Sequence, residues 1–305
     1  MFIDLILLIL GLSLMFWCSE KGVLHIMTLV TILGMSPIAV GSIILAFGTD
    51  LPEIFNSILS SAAGHGDINV GDSLGSCLTQ ISLVFGLLLL IGGTFKVNRD
   101  EVIEVGKCEL MGIILATLIT RTGYITRLDA LLLILSYFLL ILSVKKYIRK
   151  ERKVRVVHVD MVRHMFLFLI YMLGVGLGSY LTISSTVKIS QEFGVPEFIL
   201  SFFLLSLGTS LPELVVDLTA IRKKEYELAV GDILGSNIVD STFAIAIGPL
   251  INPVSISANI AFLSGLWVLL VSAIVILSLY YVGEANRKLG LLYIILYSLS
   301  YVEIH

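Results

Sequence analysis

Apolar residues run along this chain in long stretches rather than in the alternation of a half-buried strand or the narrow stripe of a surface helix. A helix needs about 20 apolar residues to cross roughly 30 Å of hydrocarbon. Stretches of this kind predict ten helices, near 2–19, 36–63, 69–93, 105–121, 128–144, 163–185, 197–221, 228–250, 257–280 and 289–303. The first is expected to be a span rather than a cleaved signal peptide, because it lacks a basic leader and carries Asp4. The pattern as a whole predicts an all-α polytopic membrane protein.

Composition agrees with that pattern. Of 305 residues, 57% are apolar and only 14% charged, with a mean hydropathy of +1.01, whereas a soluble domain carries roughly a quarter charged residues. The net charge of −3 and the absence of a basic stripe interleaved with aromatics argue against a nucleic-acid partner. Cys18, Cys77 and Cys108 lie in or beside apolar runs without CxxC spacing, so they read as small, reduced, buried thiols.

Basic residues mark orientation, since Lys and Arg stay on the cytoplasmic side. With the N-terminus outside, 17 of the 20 fall in inward-facing loops, and only Arg121, Arg127 and Lys188 face out. Both termini are therefore expected outside. The strongly charged run 145–160, KKYIRKERKVRVVHVD, lies mid-chain and reads as a solvated hinge. It divides the chain into a first half, 1–144, a cytoplasmic basic linker, 145–162, and a second half, 163–305.

The halves resemble one another. Residues 44–80 laid over 204–240, at an offset of 160 and without gaps, share 12 identities in 37 positions. They include Gly48/Gly208, Thr49/Thr209, Pro52/Pro212, Glu53/Glu213, Gly71/Gly231, Asp72/Asp232 and Ser76/Ser236. Five predicted spans separate equivalent positions, and an odd number reverses direction through the membrane, so the copies are expected to form inverted five-helix repeats. Within each copy a helix is interrupted by GTDLPE (48–53) or GTSLPE (208–213). Proline removes a donor and disfavours helix in the residue before it, so carbonyls one turn upstream, in Ala46, Phe47, Ser206 and Leu207, become candidates for ion contact.

The stretches 36–63, 69–93, 197–221 and 228–250 hold Asp50, Glu53, Asp72, Glu213, Asp217, Asp232 and Asp240, with Glu197 at an end, and no Lys or Arg. Carboxylates are costly at such depth unless paired or protonated. The missing positive charge must then be a bound cation or a proton, and an oxygen-only donor set suits hard cations such as Ca2+ and Na+.

At GTDLPE and GTSLPE, followed by GDSLGSCLTQ (71–80) and GDILGSNIVD (231–240), the chain resembles the calcium/cation antiporter superfamily in its sodium/calcium exchanger branch. The resemblance covers the whole architecture, and the paired motifs, called alpha repeats there, fall at about 36–93 and 197–250. It implies that Glu53 and Glu213 are the central calcium ligands, shared with sodium, that the Thr49 and Thr209 carbonyls complete that site, and that Asp240 lines it. It further implies one flanking sodium site from the hydroxyls of Ser210 and Ser236 with Ser206, and a symmetric mate to which Ala46 and Ser76 contribute. The chain departs from the family pattern twice: Asp50 stands where serine is usual, and Gln80 where asparagine is usual. Asp50 adds an acid where a sodium site is expected, either charging that site or carrying a proton.

The remaining polar residues have plainer readings. Asp72 and Asp232 follow glycine and read as helix caps. Asp217, one turn after Glu213 and matched by Ser57 in the first half, reads as a vestibule acid. Asn56 is placed either to hydrogen-bond Glu53 or to pack against a neighbouring helix. His65, His158 and His164 read as surface histidines. Gly174, Gly176 and Gly178 lie in an apolar helix and read as close helix packing rather than a phosphate loop. The resulting expectation is a secondary antiporter exchanging Ca2+ for Na+ by alternating access, with inorganic cations and the lipid bilayer as its partners and no resident cofactor. The alternative is a proton/calcium antiporter. A channel is the competing transport class, and an intramembrane enzyme lacks support because neither HExxH nor GxSxG occurs.

Overall fold

The computed structural model describes residues 2–30, 45–144 and 161–303. The first part of the predicted second span, 36–44, and the basic linker 145–160 with His158 lie outside the described residues. Helix dominates. In chain order, α1 is Phe2–Val30; α2 consists of Ala46–Thr49 and Leu51–Ala62; α3 runs Gly66–Leu78 and continues through a π-helical stretch, Thr79–Val84, into Phe85–Gly92. Next come α4 (Arg99–Thr120), α5 (Arg127–Val144) and α6 (Met161–Phe193). The α7 segment comprises Glu197–Leu200, a π stretch Ser201–Leu205, Ser206–Thr209 and Leu211–Arg222. Then α8 runs Tyr226–Ile238, π Val239–Ala244 and Ile245–Ile251, followed by α9 (Ala258–Val282) and α10 (Arg287–Glu303).

Seven of these helices are long and apolar enough to cross a membrane. The others fall short for visible reasons. Of α2 only 45–62 is described, α4 carries Glu104, Lys107 and Glu109 among its apolar residues, and α10 is only 17 residues long. Both broken helices restart on proline at the first turn, where its missing N–H costs nothing. In neither break is the upstream carbonyl of the first residue free. The Ala46 carbonyl accepts from the Asp50 N–H at 3.0 Å and from Thr49 Oγ1 at 3.2 Å, and the Ser206 carbonyl accepts from the Ser210 N–H at 3.0 Å and Thr209 Oγ1 at 3.2 Å. Threonine thus supplies a second donor to the turn that proline weakens, and an ion would have to displace one of the two donors that each oxygen already faces.

The centre belongs to α3 and α8, in which 78% and 83% respectively of an apolar 18-residue stretch is buried, against 28% in α1 and α5. Glycine permits the closest approaches there. A Cβ on Gly75 would lie 2.2 Å from the Phe202 carbonyl oxygen, and one on Gly248 2.0 Å from that of Ser57. At the periphery, α1 packs along α6 as the glycine pattern predicts. A Cβ on Gly174 would meet Cys18 Sγ at 2.3 Å, and one on Gly178 would meet Met15 Cγ at 2.5 Å. All three cysteines are free and buried.

Helices α4 and α9 run antiparallel against each other, with Gly106 on Ile276 and Gly265 on Thr117. Short strands tie their ends together. Phe95–Lys96 (β1) pairs antiparallel with Glu284–Ala285 (β4), and Tyr124–Ile125 (β2) with Val254–Ser255 (β3), so each two-stranded sheet takes one strand from either half of the chain.

Candidate cation site

The turn at Asp50 and the first turns after it bring three acids together from two helices. Oxygens of Asp50, Glu53 and Glu213 all lie within 4.8 Å of one another, and each side chain is at most 1% exposed. Serine and threonine supply the donors. Ser76 Oγ of α3 donates to Glu53 Oε1 at 3.2 Å and lies 3.3 Å from Thr209 Oγ1, which in turn donates to Asp72 Oδ1 at 3.1 Å. Thr49 Oγ1 bonds back to the Leu45 carbonyl at 3.1 Å. Ser206 Oγ donates to the Phe202 carbonyl at 2.5 Å and sits 3.4 Å from Thr79 Oγ1.

What remains is a set of buried polar atoms, most of them oxygens, without partners. Both carboxylate oxygens of Asp50, Glu213 and Asp240, Glu53 Oε2, the hydroxyls of Ser210 and Ser236, and both polar atoms of Gln80 have no hydrogen-bond partner among the described residues. None of these acids takes part in the ion pairs found among the described residues. Buried polar atoms are nearly always satisfied, and uncompensated buried carboxylates cost several kcal/mol each. An array of hard oxygens converging without a protein cation has the chemistry of a hard-cation site. Asp240 lies on the π stretch of α8, outside the three-acid group, while Gln80 occupies the matching stretch of α3. A π turn inserts one residue into the helix and re-aims the side chains beside it. Beside the site, Phe47 and Phe243 stack edge to face at 5.1 Å, and Tyr137 packs on Phe243 at 5.6 Å.

Several plain readings change. Asp72 and Asp232 are not caps: α3 starts at Gly66 and the first part of α8 at Tyr226, so both acids sit six residues inside their helices, buried. Asp72 accepts from Asn56 Nδ2 at 2.8 Å, and Ser179 of α6 donates to Asn56 Oδ1, so Asn56 ties α2 to α3 and α6 rather than reaching Glu53. Asp217 is fully buried, not a vestibule group, and its carboxyl faces that of Asp232 with no donor to either. His65 is half-buried and pairs with Glu197 Oε2 at 3.0 Å, and His164 contacts His25 at 2.9 Å. One buried acid escaped the motif-based census altogether: Glu109 of α4, fully buried, accepts from Asn237 Nδ2 at 2.8 Å.

Known proteins share this plan. The sequence profile of the sodium/calcium exchanger protein family matches residues 3–145 and 163–302. An uncharacterized membrane protein of Methanocaldococcus jannaschii is 31% identical over 244 residues, covering 79% of this chain and 80% of that protein. The sodium/calcium exchanger MaX1 of Methanosarcina acetivorans is 22% identical, with 97% and 96% covered. The solved structure of the sodium-calcium exchanger NCX_Mj soaked with 2.5 mM Na+ and 10 mM Sr2+ superposes with a TM-score of 0.73 at 25% identity, covering 100% of this chain and 99% of that one. The chain is thus a multi-pass membrane protein, and it belongs to the sodium/calcium exchanger protein family.

Proposed function

We propose that this protein is a secondary antiporter that exchanges Ca2+ for Na+ across a membrane by alternating access. The observation that carries the reading is the group of Asp50, Glu53 and Glu213, buried within 4.8 Å of one another with no cation from the described residues paired to them. Two relatives whose names state sodium/calcium exchange, MaX1 and NCX_Mj, support the choice of ions. In this reading Glu53 and Glu213 ligate Ca2+ and share Na+, with the carbonyls of Thr49 and Thr209 and the carboxylate of Asp240 completing the central site. Ser206, Ser210 and Ser236 form one flanking sodium site, and Ala46 and Ser76 contribute to the other, next to Asp50 and Gln80.

Exchange follows from electrostatics. Leaving three carboxylates uncompensated at this depth is costly, so the protein changes sides only when they are neutralised. With the carboxylate of Asp240 the site carries four charges, of which one Ca2+ balances two and monovalent cations the other two, while several Na+ do the same work. The ten helices form two inverted halves with both termini outside and the basic linker in the cytoplasm. The antiparallel contact of α4 with its counterpart α9 and the strand pairs that mix the halves support this arrangement. The glycine-lined pair α1 and α6 moves against the helices that hold the ions, exposing one side at a time.

A second reading, proton-coupled exchange, draws on Asp50 itself. A third carboxyl beside two others holds a proton when the neighbours are charged. Uptake of 45Ca2+ into proteoliposomes separates the two. An outward Na+ gradient alone drives uptake in the sodium reading, and uptake driven only by an outward proton gradient overturns it.

A further inference from the structure

Glu109 lies outside the paired motifs and outside the three-acid group, on α4, yet it is as buried as any acid in the protein. Its Oε1 accepts from Asn237 Nδ2 at 2.8 Å. Its Oε2 has no hydrogen-bond partner among the described residues, and Ser272 of α9 faces it. Asn237 is the last but one residue before the π stretch of α8, and Asp240 follows it by about one turn. The Asn237 carbonyl is also held, by Ser241 Oγ at 2.6 Å and by Cys77 Sγ at 3.7 Å.

A second contact lies one turn along α4. A Cβ on Gly112 would meet Ser241 Oγ at 2.6 Å and Thr242 Cγ2 at 3.0 Å, so this helix rests directly on the π stretch. Glu109 and Gly112 together clamp the two ends of the turn that carries Asp240. The other half lacks this device. Asn237 corresponds to Cys77 at the offset of 160, and α4 corresponds to α9 at an offset of 159, which aligns Gly106 with Gly265 and Glu109 with Val268. Cys77 and Val268 are both fully buried in the main apolar core. One half therefore backs its π stretch with an acid and an amide, and the other with a thiol and a valine.

We propose that Glu109 is a positioning residue: through Asn237 it fixes the rotation of the turn bearing Asp240, and so sets the affinity of the cation site from the second repeat. The inference rests on the ion-exchange reading above. A single buried hydrogen bond that orients a ligand is worth about a factor of ten in affinity.

The test uses full-length protein in proteoliposomes with 45Ca2+ as the probe, comparing wild type, Glu109→Gln, Glu109→Leu, Asn237→Ser and the pair Glu109→Val with Asn237→Cys, which copies the first-repeat arrangement. Glu109→Gln keeps an acceptor for Asn237 and retains wild-type KM and Vmax. Glu109→Leu raises the KM for Ca2+ about tenfold with Vmax within about twofold, and Asn237→Ser, which removes the amide that donates to Glu109, does the same if the leucine variant fails to fold. The paired variant restores KM. Loss of exchange in Glu109→Gln overturns the inference by making the charge itself essential, as does a wild-type KM in Asn237→Ser or a loss of Vmax alone. Absence of Ca2+ exchange in the wild type defeats the transport reading instead.

Discussion

Replacing Glu213 by glutamine removes one charge from the three-acid group while keeping its size. Oxygens of the three carboxyls lie within 4.8 Å of one another, and at that separation, with an effective dielectric constant of about 20, each ionised pair repels by roughly 3.5 kcal/mol. Glu213 takes part in two of the three pairs, so its neutralisation relieves up to about 7 kcal/mol, comparable with the roughly 5–15 kcal/mol that holds a typical domain together. Protonation of one carboxyl removes part of this repulsion. Even about 2 kcal/mol retained raises the melting temperature by roughly 3 °C. Purified Glu213→Gln is therefore expected to melt higher than wild type in chelator near pH 8, followed by the fluorescence of Trp17 and Trp267. In saturating Ca2+ the order reverses, because binding stabilises only the protein that retains the ligand. Exchange of 45Ca2+ is lost in the variant. A Glu213→Gln protein that exchanges Ca2+ normally, or that melts below wild type in chelator and gains as much from Ca2+, refutes the placement of the cation among these carboxylates.

Other substitutions probe separate parts of the account. Ser76→Ala removes the donor 3.2 Å from Glu53 Oε1, and the loss of about 1 kcal/mol is expected to raise the KM for Ca2+ roughly fivefold in flux assays with little change in Vmax. Asp50→Ser is expected to retain exchange but to bind one Na+ fewer, read as a lower Hill coefficient for Na+ inhibition of 45Ca2+ binding; an unchanged Hill coefficient removes Asp50 from the cycle. Gly75→Ala sets a methyl group 2.2 Å from the Phe202 carbonyl, where backbone must shift, and is expected to lower the melting temperature and the yield of folded protein, whereas Gly64→Ala, with nothing within 4 Å but a φ of +83°, costs only about 1 kcal/mol of backbone strain.

Much of this architecture is readable in the chain because the bilayer restricts what a spanning segment can be. Long apolar runs locate the helices, and the proline in LPE locates their breaks at Asp50 and Ser210. Small residues at 174 and 178 announce the close packing of α6 on α1. The identities between 44–80 and 204–240 single out Glu53 and Glu213, and the structure brings these together with Asp50. Other features leave no such mark. Gly-Asp at 71–72 and 231–232 looks like a helix start, but α3 and α8 begin in the polar residues before it, so both acids are interior. Asp217 looks peripheral because only one half has it, and depth is set by the fold rather than by symmetry. Glu109 shares its helix with Glu104 and Lys107, which pair at the surface at 2.7 Å, and one acid among several gives no sign of which is buried. The π stretches at 79–84, 201–205 and 239–244 insert single residues into apolar runs, which changes no hydropathy pattern.

Mutual exclusion of the two ions is the central claim, and the most direct test is equilibrium 45Ca2+ binding to the purified wild-type protein as Na+ is raised, with choline holding ionic strength constant. The account predicts one Ca2+ per chain, displaced completely and cooperatively by Na+, and no binding in Glu53→Gln. Ca2+ binding that Na+ leaves unchanged, or that survives the loss of Glu53, contradicts it.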